Sequence, residues 1–159
     1  MKTHIPPNIR QLRARQHGAA AVELALVLPI LIVFLTFPLF YARCFWHYTV
    51  AQKAAQDAAS YLSMVPASEM RSPDLAAAAT NVALEIARRE MAELAPGTTI
   101  RQPQVKCDGV DCGFFPGKSP EKVRVVITFG MVDTIFGLIE TGRYGLLITA
   151  DVTLRYVGT

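Results

Sequence analysis

The spacing of apolar positions changes along the chain, and each change marks an element. From Gly18 to Ala42 the sequence reads GAAAVELALVLPILIVFLTFPLFYA, with Glu23 as its one charge and no polar face at helical spacing. As a helix, these 25 residues would run about 37 Å, enough to cross a hydrocarbon core of about 30 Å. Beyond Arg43 the pattern becomes amphipathic. Val50, Ala51, Ala54, Ala55, Ala58, Tyr61, Leu62 and Val65 recur at helical spacing, with Gln52, Lys53, Gln56, Asp57, Ser60 and Ser63 between them. No proline or glycine interrupts 43–65. One long helix is predicted from about Ala19 to about Met64, half in a membrane and half outside it, ended by Pro66. Its alanine-rich side lets a neighbouring helix come close.

Ser72-Pro73-Asp74 predicts the start of a second helix: a capping hydroxyl, proline at the first helical position and an acid at the positive end of the helix dipole. This helix is expected to run to about Leu94 and stop at Pro96-Gly97. Leu75, Ala79, Val82 and Ile86 form one apolar stripe, and Leu84, Ala87, Met91 and Leu94 extend a second. Arg88, Arg89, Glu90 and Glu93 read as a solvated face.

The last third has period two. Val123, Val125, Ile127 and Phe129 alternate with Lys122, Arg124, Val126 and Thr128; Ile148, Ala150, Val152, Leu154 and Tyr156 alternate with Thr149, Asp151, Thr153 and Arg155. Each pattern predicts a strand with one buried and one wetter face. The link over 131–146 is too long for a tight hairpin, and a short helix is expected at Asp133–Ile139. A weaker strand is expected at 98–106, with Pro103 confining it to an edge. The chain therefore reads as an α+β protein in three parts: a basic leader (1–18), a long helix (19–65) whose membrane segment is about 19–42, and a head (66–159) of one helix and an antiparallel sheet.

Charge adds an orientation. The first 17 residues carry four of the 16 basic residues and no acid, whereas 43–159 carry 12 basic and 12 acidic residues. Basic flanks stay on the cytoplasmic side, which puts the leader inside and the head outside. The net charge of +3 belongs to the leader, so the head lacks the electrostatic footprint of a nucleic-acid binder. Tyr41, Phe45, Trp46 and Tyr48 fit an aromatic belt at the outer interface. A conventional secretory signal is a poor fit, because the apolar run is too long and YARCFWH follows it.

The leader boundary carries the sharpest chemical signal. In RQHGAAAVE a glycine at the membrane face offers a side-chain-free cleavage point. A cut between Gly18 and Ala19 would make Glu23 the fifth residue of the mature chain, in the first helical turns, where the dipole favours a negative charge. An ionised group in an apolar helix costs about 2.5–3.5 kcal/mol at mid-bilayer and less near the interface, so it calls for a partner. The new amino terminus of a neighbouring subunit would supply a cation at similar depth. Pro29 and Pro38 each remove a helix hydrogen bond and are tolerated in membrane helices; they are the expected breaks in the helix.

The stretch GAAAVELALVLP resembles the N-terminal signature of the TadE-like family, pilin-like proteins of the tight-adherence (Flp) pilus systems. The resemblance implies cleavage after Gly18 by a prepilin peptidase, a functional glutamate at Glu23 and a proline-interrupted apolar helix with Pro29. Where the family often has Phe or Tyr after the glutamate, this chain has Leu24. The chain is also far longer than the major pilins of these systems.

Cys107 and Cys112 flank the turn-forming Asp108-Gly109-Val110-Asp111, and an oxidising compartment favours a disulfide between them. Cys44 reads as a reduced packing residue. The histidines are His4, His17 and His47, which leaves none in the expected head, and two thiols are too few ligands for structural zinc. No metal or cofactor is expected, and no nucleophile elbow, phosphate loop or HExxH suggests an enzyme. The expected function is that of a minor pilin or pseudopilin in the inner membrane, working with prepilin peptidase, other pilin-like subunits and the pilus assembly machinery in assembly, priming or surface adhesion. The alternative is an uncleaved single-pass protein whose head scaffolds or binds another envelope protein.

Overall fold

The computed structural model describes the backbone of residues 9–92, 94, 98–134, 137, 142 and 145–158, and the side chains among these from residue 18 onward except 98–100. The elements, in chain order, are α1 (Ile9–Met64), α2 (Ala67–Met70), α3 (Pro73–Met91), β1 (Thr98–Ile100), β2 (Gln104–Cys107), β3 (Lys122–Met131) and β4 (Leu146–Arg155). The fold is α+β, as the patterning predicts. The chain divides into two compact units, Met1–Tyr41 and Ala42–Thr159. The second unit starts well before residue 66, because α1 from Ala42 onward is part of the head.

Helix α1 starts ten residues earlier than expected. The run Ile9–His17 holds Arg, Gln, Leu and Ala with no glycine or proline, so helix propensity carries the backbone on to Ile9. Residues 1–8 of the leader lie outside the described residues. The helix also continues through Pro29 and Pro38. Each proline still lacks an N–H, so the break is a missing hydrogen bond and not an end of the helix.

In the head, α1 buries Ala51, Ala54, Ala55, Ala58, Ala59 and Leu62 completely. Helix α3 buries Ala76, Ala79, Ala83, Ala87 and Met91. Lys53 on α1 reaches Glu90 on α3 at 3.7 Å, tying the two helices together. The buried stripe of α3 is thus almost all alanine. Of the apolar residues expected to line it, Leu75 and Val82 are exposed instead (49% and 45%). Pro66 ends α1, but the chain then forms the unforeseen short helix α2, whose Met70 is buried. Ser72 is the N-cap of α3 in extended conformation with Pro73 behind it, yet its hydroxyl makes no capping bond. Asp74 supplies the favourable charge in the first turn. The helix ends at Met91, three residues short of the expected stop.

Strand β3 is the centre of the sheet. It pairs antiparallel with β4 along its whole length, from Lys122↔Arg155 to Met131↔Leu146. On its other side it pairs with β1 (Thr98↔Met131) and with β2 (Cys107↔Val123). The expected edge strand at 98–106 is therefore two short strands on one edge, separated by Arg101-Gln102-Pro103, where proline cannot donate to a ladder. Val123, Val125, Ile127 and Phe129 are fully buried, as their alternation predicts. On β4 the alternation holds, but only Ala150 is fully buried; Ile148, Val152 and Leu154 are half-buried. The end of β4 is pinned to the end of α1: the Tyr156 hydroxyl donates to the Val65 carbonyl at 2.6 Å, and the Val157 N–H donates to Ser63 at 2.9 Å. Asp133 and Thr134, where a short helix is expected to begin, belong to no element. Most of that expected helix lies outside the described residues.

Candidate assembly site

Three residues single out the N-terminal unit. Gly18 lies within the helix, and a Cβ placed on it would meet nothing within 4 Å. Glycine inside a helix is about 0.5–1 kcal/mol less favourable than alanine. The fold thus has no use for glycine here. Ala19 follows it, exposed. Glu23 is exposed too, and no described residue pairs with it. Around it, Val22, Leu24, Leu26, Val27, Leu28, Ile30 and Leu31 are each at least half exposed. The most apolar window of the helix segment Gly18–Met64 has a mean hydropathy of 2.5 and is only 6% buried, so the segment is long and apolar enough to cross a membrane. A contiguous apolar surface of this size calls for lipid or other helices around it. Within this stretch Thr36 donates its hydroxyl to the Ile32 carbonyl at 2.9 Å and so carries no unmet hydrogen bond.

Beyond it, Tyr41, Phe45, Trp46 and Tyr48 are exposed at 54%, 69%, 56% and 38%. Cys44 is a free, buried thiol. His47 corrects the expectation that no histidine belongs to the head: it is buried in the second unit, with Nδ1 at 2.8 Å from the Arg43 carbonyl and Nε2 without a hydrogen-bond partner. Arg43 itself donates to the Thr134 hydroxyl at 2.9 Å.

Cys107 and Cys112 form a disulfide with a Cα–Cα distance of 4.9 Å. The turn inside it has Asp108 at φ 52° and Gly109 at φ 87°, which suits the Asp-Gly sequence. The Cys107 N–H donates to Val110 at 2.7 Å, closing that turn. The Asp108 carboxylate accepts the backbone N–H groups of Glu121 (3.0 Å) and Lys122 (2.9 Å), fastening the far end of the loop. Gly113 packs against α3: a Cβ there would sit 3.0 Å from Ala76 Cβ and Pro73 Cα. The hub role of Asp108 is invisible in the sequence apart from its place in an Asp-Gly turn. Among the described residues, no three of His, Cys, Asp and Glu come together.

The electrostatics of the head lie at its surface. Arg124 grips Asp151 across the strands through Nε (2.9 Å) and a second guanidinium nitrogen, which holds the Asp151 carboxyl below its usual range. Glu90 is pushed the other way, by burial first and then by the nearby Asp57 carboxylate, with Lys53 opposing.

Residues 18–60, a little over a quarter of the chain, match the family model described as TadE-like protein. No curated protein and no solved structure matches the chain. The match begins on Gly18 and takes in Glu23 and both prolines, then ends inside the head portion of α1.

Proposed function

We propose, on the TadE-like segment at residues 18–60, that this protein is a pilin-like structural subunit of a tight-adherence (Flp-type) pilus and not an enzyme. It waits in the inner membrane with its leader in the cytoplasm and its head in the periplasm. A prepilin peptidase trims it after Gly18, and it then joins or primes a pilus as a minor pilin or pseudopilin, contributing to surface adhesion. One observation carries this reading. The family match begins on a glycine that the fold does not need, and an exposed apolar helix with an unpaired carboxylate follows it. A residue whose identity serves nothing inside the chain suits recognition by another protein.

Ala19 and Glu23 are one helical turn apart, about 6 Å along the axis. A neighbouring trimmed subunit shifted by about a turn would bring its amino terminus level with Glu23. The apolar helices hold subunits together, and this ion pair sets their register. Glu23→Ala therefore leaves membrane insertion intact and reduces assembly; unchanged piliation in that variant refutes the register role. The helical backbone from Ile9 through Gly18 favours a second reading, an uncleaved anchor whose head binds an envelope partner. Intact mass separates the two: a chain beginning at Ala19 supports the subunit, and one beginning at Met1 or Lys2 supports the anchor.

A further inference from the structure

Strand β4 leaves one edge of the sheet open. On β3, the carbonyls of Thr128 and Lys122 accept the N–H groups of Arg101 and Asp108, both at 3.0 Å. Even-numbered residues of β3 therefore point their backbone toward β1 and β2, and odd-numbered ones point toward β4. Their partners in the register, Ile148, Ala150, Val152 and Leu154, point back at β3. The alternate residues Leu147, Thr149, Asp151, Thr153 and Arg155 thus direct N–H and C=O outward. This series is closed at its ends, where Gly145 donates to Gly142 at 3.3 Å and Val157 donates to Ser63 at 2.9 Å. Between those ends, its backbone groups have no hydrogen-bond partner among the described residues. Natural sheets guard such an edge with proline, bulges or very short strands. The opposite edge is guarded in this way, since Thr98–Ile100 and Gln104–Cys107 are short and Pro103 lies between them. Strand β4 holds no proline, and it pairs with β3 residue for residue from Leu146 to Arg155, without a bulge.

The side chains along this edge define what fits it. On the core face, Val152 and Leu154 are half-buried, whereas Val125 and Val123 opposite them are fully buried. On the other face, Arg155 stands directly opposite Lys122, and both are exposed. Like charges at directly opposed positions destabilise a sheet. Arg124, on that same face, is neutralised by Asp151, but among the described residues no acid pairs with Lys122 or Arg155. An added strand would alternate in step with β4. It would set apolar side chains beside Val152 and Leu154 on the core face, and an acid beside Arg155 on the charged face.

A second copy does not supply that strand. Arg43 donates to Thr134, just past β3, and Val65 accepts from Tyr156, just past β4, so β4 and the head portion of α1 run the same way. Antiparallel pairing of two β4 edges would put the two Ala42 ends at opposite ends of the pair, which chains anchored in one membrane do not allow. Parallel pairing about a twofold axis along the strands would set the core face of one sheet level with the charged face of the other. The opposite edge of a second copy is short and interrupted at Pro103. We propose that the open edge of β4 receives an extended segment of a different protein as a further strand, with a carboxylate of that segment beside Arg155. Backbone hydrogen bonds supply the affinity, and the alternating side chains supply the specificity. The edge belongs to the head, and this docking holds whether the leader is trimmed or kept.

Amide hydrogen exchange on the full-length protein in detergent tests this. The probe is the end-blocked peptide EVTVTVE, which reads the same in both directions and so offers a glutamate to Arg155 in either orientation. In the free protein the amides of Leu147, Thr149, Asp151 and Thr153 are expected to exchange fast, and those of Ile148, Ala150, Val152 and Leu154 slowly. Peptide at about ten times its Kd should slow the fast set about tenfold. The peptide KVTVTVK should bind about fivefold more weakly, the scale of one exposed ion pair. Thr153→Pro removes an N–H that points away from β3, so the thermal midpoint holds while the protection by EVTVTVE is lost. Arg155→Glu also removes the clash with Lys122 and should reverse the preference between the two peptides without lowering the midpoint, a result that mere unfolding would not give. Slow exchange of both sets in the free protein would mean the edge is already covered, and would overturn the proposal. So would an absence of slowing by EVTVTVE, equal slowing by KVTVTVK, or protection that grows with protein concentration alone, the mark of a second copy.

Discussion

Adjacent residues on α3 give the sharpest test of how the head is built. Ala83 is fully buried in the alanine seam, whereas Val82, one position earlier, is 45% exposed. Ala83→Leu adds three carbon groups. In an accommodating site their burial would gain about 2.4 kcal/mol, at about 0.8 kcal/mol per CH₂. The seam has no such room, because Ala83 and its stripe neighbours Ala76 and Ala87 are fully buried, and Lys53 ties α1 to Glu90 at 3.7 Å. Overpacking of a tight core typically costs about 1–3 kcal/mol net. For a head of this size, each kcal/mol moves the midpoint by roughly 3–5 °C, so a fall of roughly 3–15 °C is expected. Val82→Ala changes an exposed position and should stay within about 0.5 kcal/mol. Thermal unfolding of the full-length protein in detergent, followed by near-ultraviolet circular dichroism, reads both. If Ala83→Leu is neutral and Val82→Ala destabilises, the assignment of the α3 faces is wrong.

Three further outcomes follow from the same geometry. Gly18→Val should leave the head's thermal midpoint unchanged, since nothing lies within 4 Å of that site, while intact mass detects retention of the leader. Replacing Cys107 and Cys112 together by serine should cost about 2 kcal/mol on the loop-entropy relation for so short a loop; the midpoint falls, and wild-type protein in reductant matches the variant. Glu90→Gln carries a pH signature. The folded state raises the Glu90 pKa, by burial first and then by Asp57, so its ionisation works against the fold as pH rises. The variant should melt above wild type at pH 7–8, and the gap should close below about pH 4, where the carboxyl is protonated in both folded and unfolded chains. A gap that widens on acidification would reverse the sign and refute the argument.

The candidate site was largely legible before the fold. Gly18, Ala19 and Glu23 stand out by contrast, a side-chain-free residue and a carboxylate inside an otherwise apolar run, and such contrasts need no tertiary context. The Asp-Gly turn between Cys107 and Cys112 has local geometry that its own residues enforce. Pro103 forecasts the edge position of 98–106 because a missing N–H acts wherever the strand lies, whereas the split into β1 and β2 shows only in the structure. Other features depend on distant partners. Asp108 binds the backbone at 121 and 122, thirteen and fourteen residues away. His47 is buried by packing that its own helix does not specify. The Lys122–Arg155 clash exists only in the β3–β4 register.

By itself, the sequence determined the periods: an apolar stretch with one acid, amphipathic helices on either side of Pro66, and two strands with alternating faces. These follow from each residue's preference for water or its absence, repeated at 3.6 or two residues. Only the tertiary structure decided which of two neighbouring stripes on α3 went inside. Periodicity defines faces but not their partners. The buried stripe of α3 is alanine-rich, which lets its backbone approach its neighbours closely, and the bulkier Leu75 and Val82 are left outside.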